Sequence, residues 1–128
     1  MYNICYPLPI YSQDEWYFEQ IRGSIYLSGP ISHYDLAERQ EYFRSVERLL
    51  RDAGISCFNP FNNGVSQDAS TRYHMAADYK QLLLCSAILL LPEWNKSPGC
   101  LNELQIACSC GMKILFWSPE KYTDPEDK

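Results

Sequence analysis

Glu103, Asp78 and Tyr26 are the residues of this chain whose types suit acid–base and nucleophilic chemistry on a small molecule. Glu103 closes the segment Ser97-Pro98-Gly99-Cys100-Leu101-Asn102-Glu103, which follows the apolar run Ala87-Ile88-Leu89-Leu90-Leu91-Pro92. Ser97 is a natural N-cap, Pro98 fits the first helical position, and Gly99 lets another group approach the backbone. A strand end, a helix start with free N–H groups and a carboxylate one to two turns on make a place for a small ligand. Asp78 lies in Ala76-Ala77-Asp78-Tyr79, and Tyr26 breaks a strand that could have been wholly aliphatic. Taken singly, each has a plainer reading. Glu103 suits any helix start, Asp78 any polar helix flank, and Tyr26 any core with a partner for its hydroxyl. Ser97 reads, more simply, as a cap alone. Trp94 reads as a base-stacking platform or, more simply, as cover for a core edge, and His33 and His74 as surface or loop residues.

The elements that must position these residues alternate. Ser24 to Ser28 reads as a short buried strand ended by Gly29-Pro30. Asp35 to Ala53 reads as a helix, with Leu36, Phe43, Val46, Leu49, Leu50 and Ala53 forming its apolar face and charges, Arg39 among them, elsewhere. Ile55 to Phe58 is a second strand, followed by a turn-rich loop from Asn59 to Gly64. A helix from about Thr71 to Cys85, a third strand from Ala87 to Leu91, a helix from Pro98 to Cys110 and a fourth strand from Met112 to Trp117 complete the pattern. Strands joined by crossovers of helix length predict an α/β, flavodoxin-like or Rossmann-like three-layer sandwich. Its parallel sheet has about four to five strands in the order 2-1-3-4. The winding reverses between strands one and three, so the crevice lies outside their carboxyl ends, between Ser28-Gly29-Pro30-Ile31-Ser32 and the loop from Pro92 to Gly99.

Composition narrows the function classes. A chain of 128 residues that is 46% hydrophobic and 21% charged is globular and of single-domain size. A net charge of −5 opposes binding to a nucleic-acid polymer, which needs clustered Lys and Arg. The longest apolar stretch, Leu82 to Leu91, falls far short of the ~20 residues of a spanning helix, and residues 1–20 do not read as a signal peptide. Cys5, Cys57, Cys85, Cys100, Cys108 and Cys110 include no Cys-x-x-Cys pair, and the two histidines are far apart. Reduced cysteines in a cytoplasmic protein without a metal or other cofactor are the expectation. The organisation predicted is an aromatic-rich N-terminal extension over 1–22, one domain over 23–118, and an acidic tail over 119–128.

In combination, Ile25-Tyr26-Leu27-Ser28-Gly29-Pro30-Ile31, Asp78 ahead of Leu82 to Leu91, and Ser97-x-Gly99-x-x-x-Glu103-x-x-x-Ala107 resemble the nucleoside 2-deoxyribosyltransferase superfamily. That superfamily includes deoxynucleoside 5′-monophosphate N-glycosidases and a short branch of domains of unknown function. The resemblance spans about Ser24 to Trp117. It implies Glu103 as the nucleophile at the anomeric carbon, Tyr26 as the hydroxyl orienting it, and Asp78 as the carboxyl group serving the departing base. It also implies that Ser28, Gly29, Pro30, Ile31, Ser32, Trp94, Ser97 and Gly99 line the substrate, with Ser97 standing where a phosphate-binding serine belongs. Two departures accompany it: Ser86 replaces an aspartate common in relatives, and His33, not a basic residue, follows Ser32. The activity implied is N-glycosidic bond cleavage of a nucleoside or its 5′-monophosphate, by hydrolysis or deoxyribosyl transfer, in a homo-oligomer (dimer or higher). The alternatives are a non-catalytic nucleotide-binding or sensing module, and an interaction protein using its aromatic lead-in.

Overall fold

The computed structural model describes residues 3–5, 8–12 and 23–119. Among the described residues there are six strands: β1 (Asn3–Cys5), β2 (Ile10–Ser12), β3 (Ile25–Ser28), β4 (Cys57–Phe58), β5 (Ala87–Leu90) and β6 (Lys113–Trp117). They form one sheet in the order β1-β2-β6-β5-β3-β4. The parallel part, β4-β3-β5-β6, has the predicted 2-1-3-4 winding. β2 adds to β6 antiparallel, with Ile10 opposite Trp117, and β1 adds to β2. The expected four to five parallel strands are thus a mixed sheet of six.

Three helices, α1 (Leu36–Asp52), α2 (Thr71–Leu84) and α3 (Pro98–Ser109), cover the sheet. The Asp35 side chain caps α1 by accepting from Glu38 N–H at 2.8 Å, as its position before the apolar stripe suggests. Arg39, Phe43, Val46 and Leu50 form the buried stripe of α1, whereas Leu36 and Leu49, expected inside, are exposed. The inner line starts at Arg39 and runs at steps of three and four; Leu36 lies in the first turn ahead of it, and Leu49 falls to its side.

The pleat of β3 divides its residues between two cores. Ile25 and Leu27 pack with Phe43, Val46 and Leu50 on the α1 side, together with Leu89 and Leu115. Tyr26 packs with Leu82 of α2, Ala107 of α3, Ile88 and Leu90 on the other side. The result is a three-layer α/β sandwich. Among the described residues, no helix is long and apolar enough to cross a membrane.

Candidate active site

Residues two apart on a strand share a face, so Tyr26 and Ser28 both look toward α3. On α3, Cys100, Glu103 and Ala107 fall at steps of three and four, and Cys100 and Ala107 are buried. Glu103 therefore puts a carboxylate into a helix stripe that is otherwise core. There the Tyr26 hydroxyl donates to Oε2, and Ser28 Oγ donates to Oε1 at 2.8 Å. Each oxygen of the acid has its own donor, one long and one short, which fixes the carboxylate plane.

Burial pushes the Glu103 carboxyl up to about 7; the hydrogen bonds from Tyr26 and Ser28 pull the other way, and the charge of Asp78 adds to the rise. Desolvation first, and then the charge of Glu103, raise the Tyr26 hydroxyl far above the ordinary phenol range, so it stays a donor. Asp78 comes from α2 on the same side of the sheet. It is half-buried, and its carboxyl is raised by desolvation against the opposing pull of Asn63 and His74. Tyr26, Ser28 and Glu103 are thus in direct contact, and Asp78 stands close enough for its charge to act on both Tyr26 and Glu103.

The remaining expected residues have varied surroundings. Ser97 caps α3, accepting from Cys100 N–H at 3.3 Å. Gly99 is exposed, and a Cβ there would meet only Ser97 Oγ at 3.8 Å, so nothing in the fold itself demands a glycine. Gly29 is different: a Cβ would sit 3.0 Å from both Leu91 Cβ and Phe43 Cζ, and close packing accounts for it. Pro30 is buried, Ile31 packs on the α1-side core, and Ser32 is exposed. Trp94 leans on Phe116 with ring centroids 5.9 Å apart, at the edge of the α2–α3-side core. Ser86 sits at the amino end of β5, with its N–H on Ser24 C=O, at the opposite end of the strands from the crevice.

The two loops at the carboxyl ends of β3 and β5 are tied together. Tyr34 donates its hydroxyl to Glu93, and Leu91 N–H donates to Ser28 C=O at 2.8 Å. Each loop holds one non-glycine residue in the left-handed region, His33 (φ 70°) and Glu93 (φ 68°). Such residues cost of order 1 kcal/mol each and collect where a site fixes the backbone.

Two side chains were missed by the sequence reading. Arg39 is buried against the rings of Tyr34, Tyr42 and Phe43, with its guanidinium carbon 5.0–5.4 Å from their centroids. Its Nε donates to Pro30 C=O at 2.9 Å, while Nη2 is buried with no hydrogen-bond partner among the described residues. Its charge reaches Cys100 in the first turn of α3. The signal was an arginine on the apolar stripe of α1. Asn63 is the other, bonded to Asp78 and His74 from the loop after β4. Its partners lie eleven and fifteen residues away, so spacing gave no hint. His74, read as a surface or loop residue, is half-buried on α2.

Cys57, Cys85, Cys100, Cys108 and Cys110 are free thiols. Burial pushes the Cys100 thiol up, against hydrogen bonds to Ser97 and Ser28. Among the described residues, no three His, Cys, Asp or Glu stand together as a metal site.

The family model described as "Domain of unknown function (DUF4406)" matches residues 23–116. Among solved structures, the fold is similar to that of a 2-deoxyribosyltransferase from the psychrotolerant bacterium Bacillus psychrosaccharolyticus. The TM-score is 0.56 at 19% identity, over 71% of this chain and 69% of that one. No curated protein matches the chain.

Proposed function

Given that the chain belongs to the DUF4406 family, we propose that it cleaves the N-glycosidic bond of a nucleoside 5′-monophosphate through Glu103. The observation that carries this reading is the part-buried Glu103 carboxylate, gripped by Tyr26 and Ser28 with the raised carboxyl of Asp78 nearby. Breaking a glycosidic bond passes through an oxocarbenium-like state that an oriented carboxylate stabilises and traps.

In this mechanism a Glu103 oxygen bonds to the anomeric carbon as the carbon–nitrogen bond breaks, and the bond pair leaves with the base. Asp78 supplies the base with a proton. Water then attacks the same carbon and returns its proton to Asp78, and the ester pair goes back to Glu103. A second base in place of the water would give deoxyribosyl transfer. Tyr26 and Ser28 favour the ionised form of Glu103 and hold its plane; the raised carboxyl of Asp78 keeps a proton available toward neutral pH. The fold's resemblance to a 2-deoxyribosyltransferase supports nucleoside chemistry in general.

A phosphate is supported by the first turn of α3, whose N–H groups, Ser97 hydroxyl and side-chain-free Gly99 suit an anion, and by Nη2 of Arg39, which has no hydrogen-bond partner among the described residues. Ser28, Gly29, Pro30, Ile31 and Ser32 would face the sugar, and Trp94 the base.

A homo-oligomer is supported by exposed apolar side chains on two neighbouring helices, with Tyr73 and Met75 of α2 among them. Leu83 and Leu84 of α2 and Leu101 of α3 are exposed in the single chain. The free thiols fit a cytoplasmic home. Residues 23–118 are read as the working domain, with 1–22 and 119–128 as appendages.

The test is incubation with a panel of nucleosides and 5′-monophosphates, following free base by chromatography. Base release is expected from a monophosphate, with Glu103→Gln at least a thousandfold slower, about 4 kcal/mol of lost barrier reduction. Arg39→Met is expected to raise KM for the monophosphate about tenfold and leave that for the nucleoside unmoved. Tight binding without turnover, indifferent to Glu103, makes the protein a nucleotide-binding module instead.

A further inference from the structure

Asn63 fastens α2 to the loop after β4 with an amide whose orientation is fixed. Its Oδ1 accepts from Val65 N–H at 2.9 Å, so its Nδ2 faces the other two neighbours: Asp78 Oδ1 at 3.0 Å and His74 Nδ1 at 3.1 Å. Turned the other way, the amide would set N–H against N–H at Val65 and oxygen against oxygen at Asp78. The Nδ2 group has two hydrogens and two neighbours, and it can only donate. A carboxylate oxygen accepts in any ionised state. A histidine nitrogen accepts only without a proton, so this geometry requires neutral His74 with its hydrogen on Nε2.

His74, Asp78 and Leu82 are four apart along α2, and Leu82 is fully buried, so the line they form is the inward one. The polar pair continues a core stripe, and the loop amide supplies it with a partner. The titratable groups acting with Asp78 are Tyr26 from β3, Glu103 from α3, and His74 and Tyr79 on α2.

We propose that Asn63 is a positioning residue that holds Asp78 by Oδ1, leaving Oδ2 to carry the transferable proton, and that this hold lasts only while His74 is neutral. An imidazolium has no lone pair at Nδ1; its N–H would point at the amide hydrogens, and Asn63 must turn away and release either Asp78 or Val65. The same imidazolium lowers the Asp78 midpoint, so beside a charged ring Asp78 takes up its proton at a lower pH than beside a neutral one. Acidification therefore loosens the grip on the proton donor through a neighbour, even as the donor itself stays protonated. The recipient of that proton rests on the glycosidase reading; the link between Asn63, His74 and Asp78 does not.

NMR of the full chain with labelled histidine and aspartate tests the link directly. His74 Nδ1 is expected at the shift of an unprotonated ring nitrogen, and Asp78 Cγ is expected to show a second inflection at the His74 midpoint. Asn63→Ser keeps an oxygen for Val65 N–H but is too short to reach α2. It should raise the Asp78 midpoint by about one pH unit and lower kcat about tenfold with KM within about twofold. His74→Gln offers an acceptor that does not titrate. It should abolish the second inflection while keeping kcat near the parent value. A neutral His74 with its proton on Nδ1, or an Asp78 midpoint unmoved in Asn63→Ser, overturns the proposal. A parent chain that shows both NMR signatures yet releases no base defeats the glycosidase reading and leaves the link standing.

Discussion

Ile25 and Leu27 point to one side of β3 and Tyr26 and Ser28 to the other, and the two sides are made of different material. Behind the first lie Phe43, Val46 and Leu50 of α1, all essentially inaccessible to water and free of acids. Behind the second, Leu82 and Ala107 share the helix surfaces with Asp78 and Glu103. One four-residue strand thus serves as a wall of ordinary core and as the floor of a polar site. Stability is concentrated on the α1 side, and the other side gives some of it up to keep a carboxylate out of water. Four changes would sharpen or break that contrast.

The largest effect belongs to the α1 side. Leu50→Ala is expected to cost about 3 kcal/mol in denaturant unfolding, because it opens a cavity in a packed core. Base release per folded molecule should stay at the parent level; a matching loss of activity would mean that the two sides are not separable.

Glu103→Gln should do the reverse, abolishing base release while stabilising the fold by about 2 kcal/mol at pH 8. The sign follows from the carboxyl's rise from 4.5 to about 7 on folding. Between those values the folded chain holds a proton that the unfolded chain has lost. Glu103 therefore favours folding when protonated and withdraws that support as pH rises through about 7. The advantage of glutamine should shrink toward pH 4.5, and melting scans across that range check it.

Tyr26→Phe removes one of the donors that favour ionised Glu103. The rising limb of the pH–rate profile, expected near pH 7 in the parent chain, should move upward, with kcat about tenfold lower. An unmoved limb would assign it to another group. The smallest effect is His33→Gly, a gain of about 0.5–1 kcal/mol from relieving a left-handed residue, with KM rising if the loop's rigidity serves binding.

The parallel sheet and its helices were readable to within a residue or two because long periodic segments carry their own evidence. Asp35 to Ala53 in the sequence became Leu36–Asp52 in the structure, and Pro98 to Cys110 became Pro98–Ser109. β1 and β2 were invisible for the opposite reason. Three residues cannot display an alternation; β2 is a strand through its pairing with β6 more than a hundred positions away, and β1 through its pairing with β2. The contact of Tyr26 and Ser28 with Glu103 follows once the winding order is known, since alternation and helix spacing then leave those residues facing one another. Arg39 carries a charge that points to solvent by type, and its inner location shows only in its place on the stripe of Phe43, Val46 and Leu50. Asn63 had no periodic signal at all, being placed by a loop whose path depends on tertiary packing.

The antiparallel pairing of β2 with β6 bears on how the protein is handled. Ile10 to Ser12 are buried and occupy the flank of Leu115 to Trp117, so without them a five-residue strand would offer its N–H and C=O groups to any passing chain. The family match begins at residue 23, and a version trimmed to that boundary would carry an open, aromatic-rich edge. Such a fragment is expected to self-associate by strand addition, and clumping in it would say nothing about how intact molecules assemble.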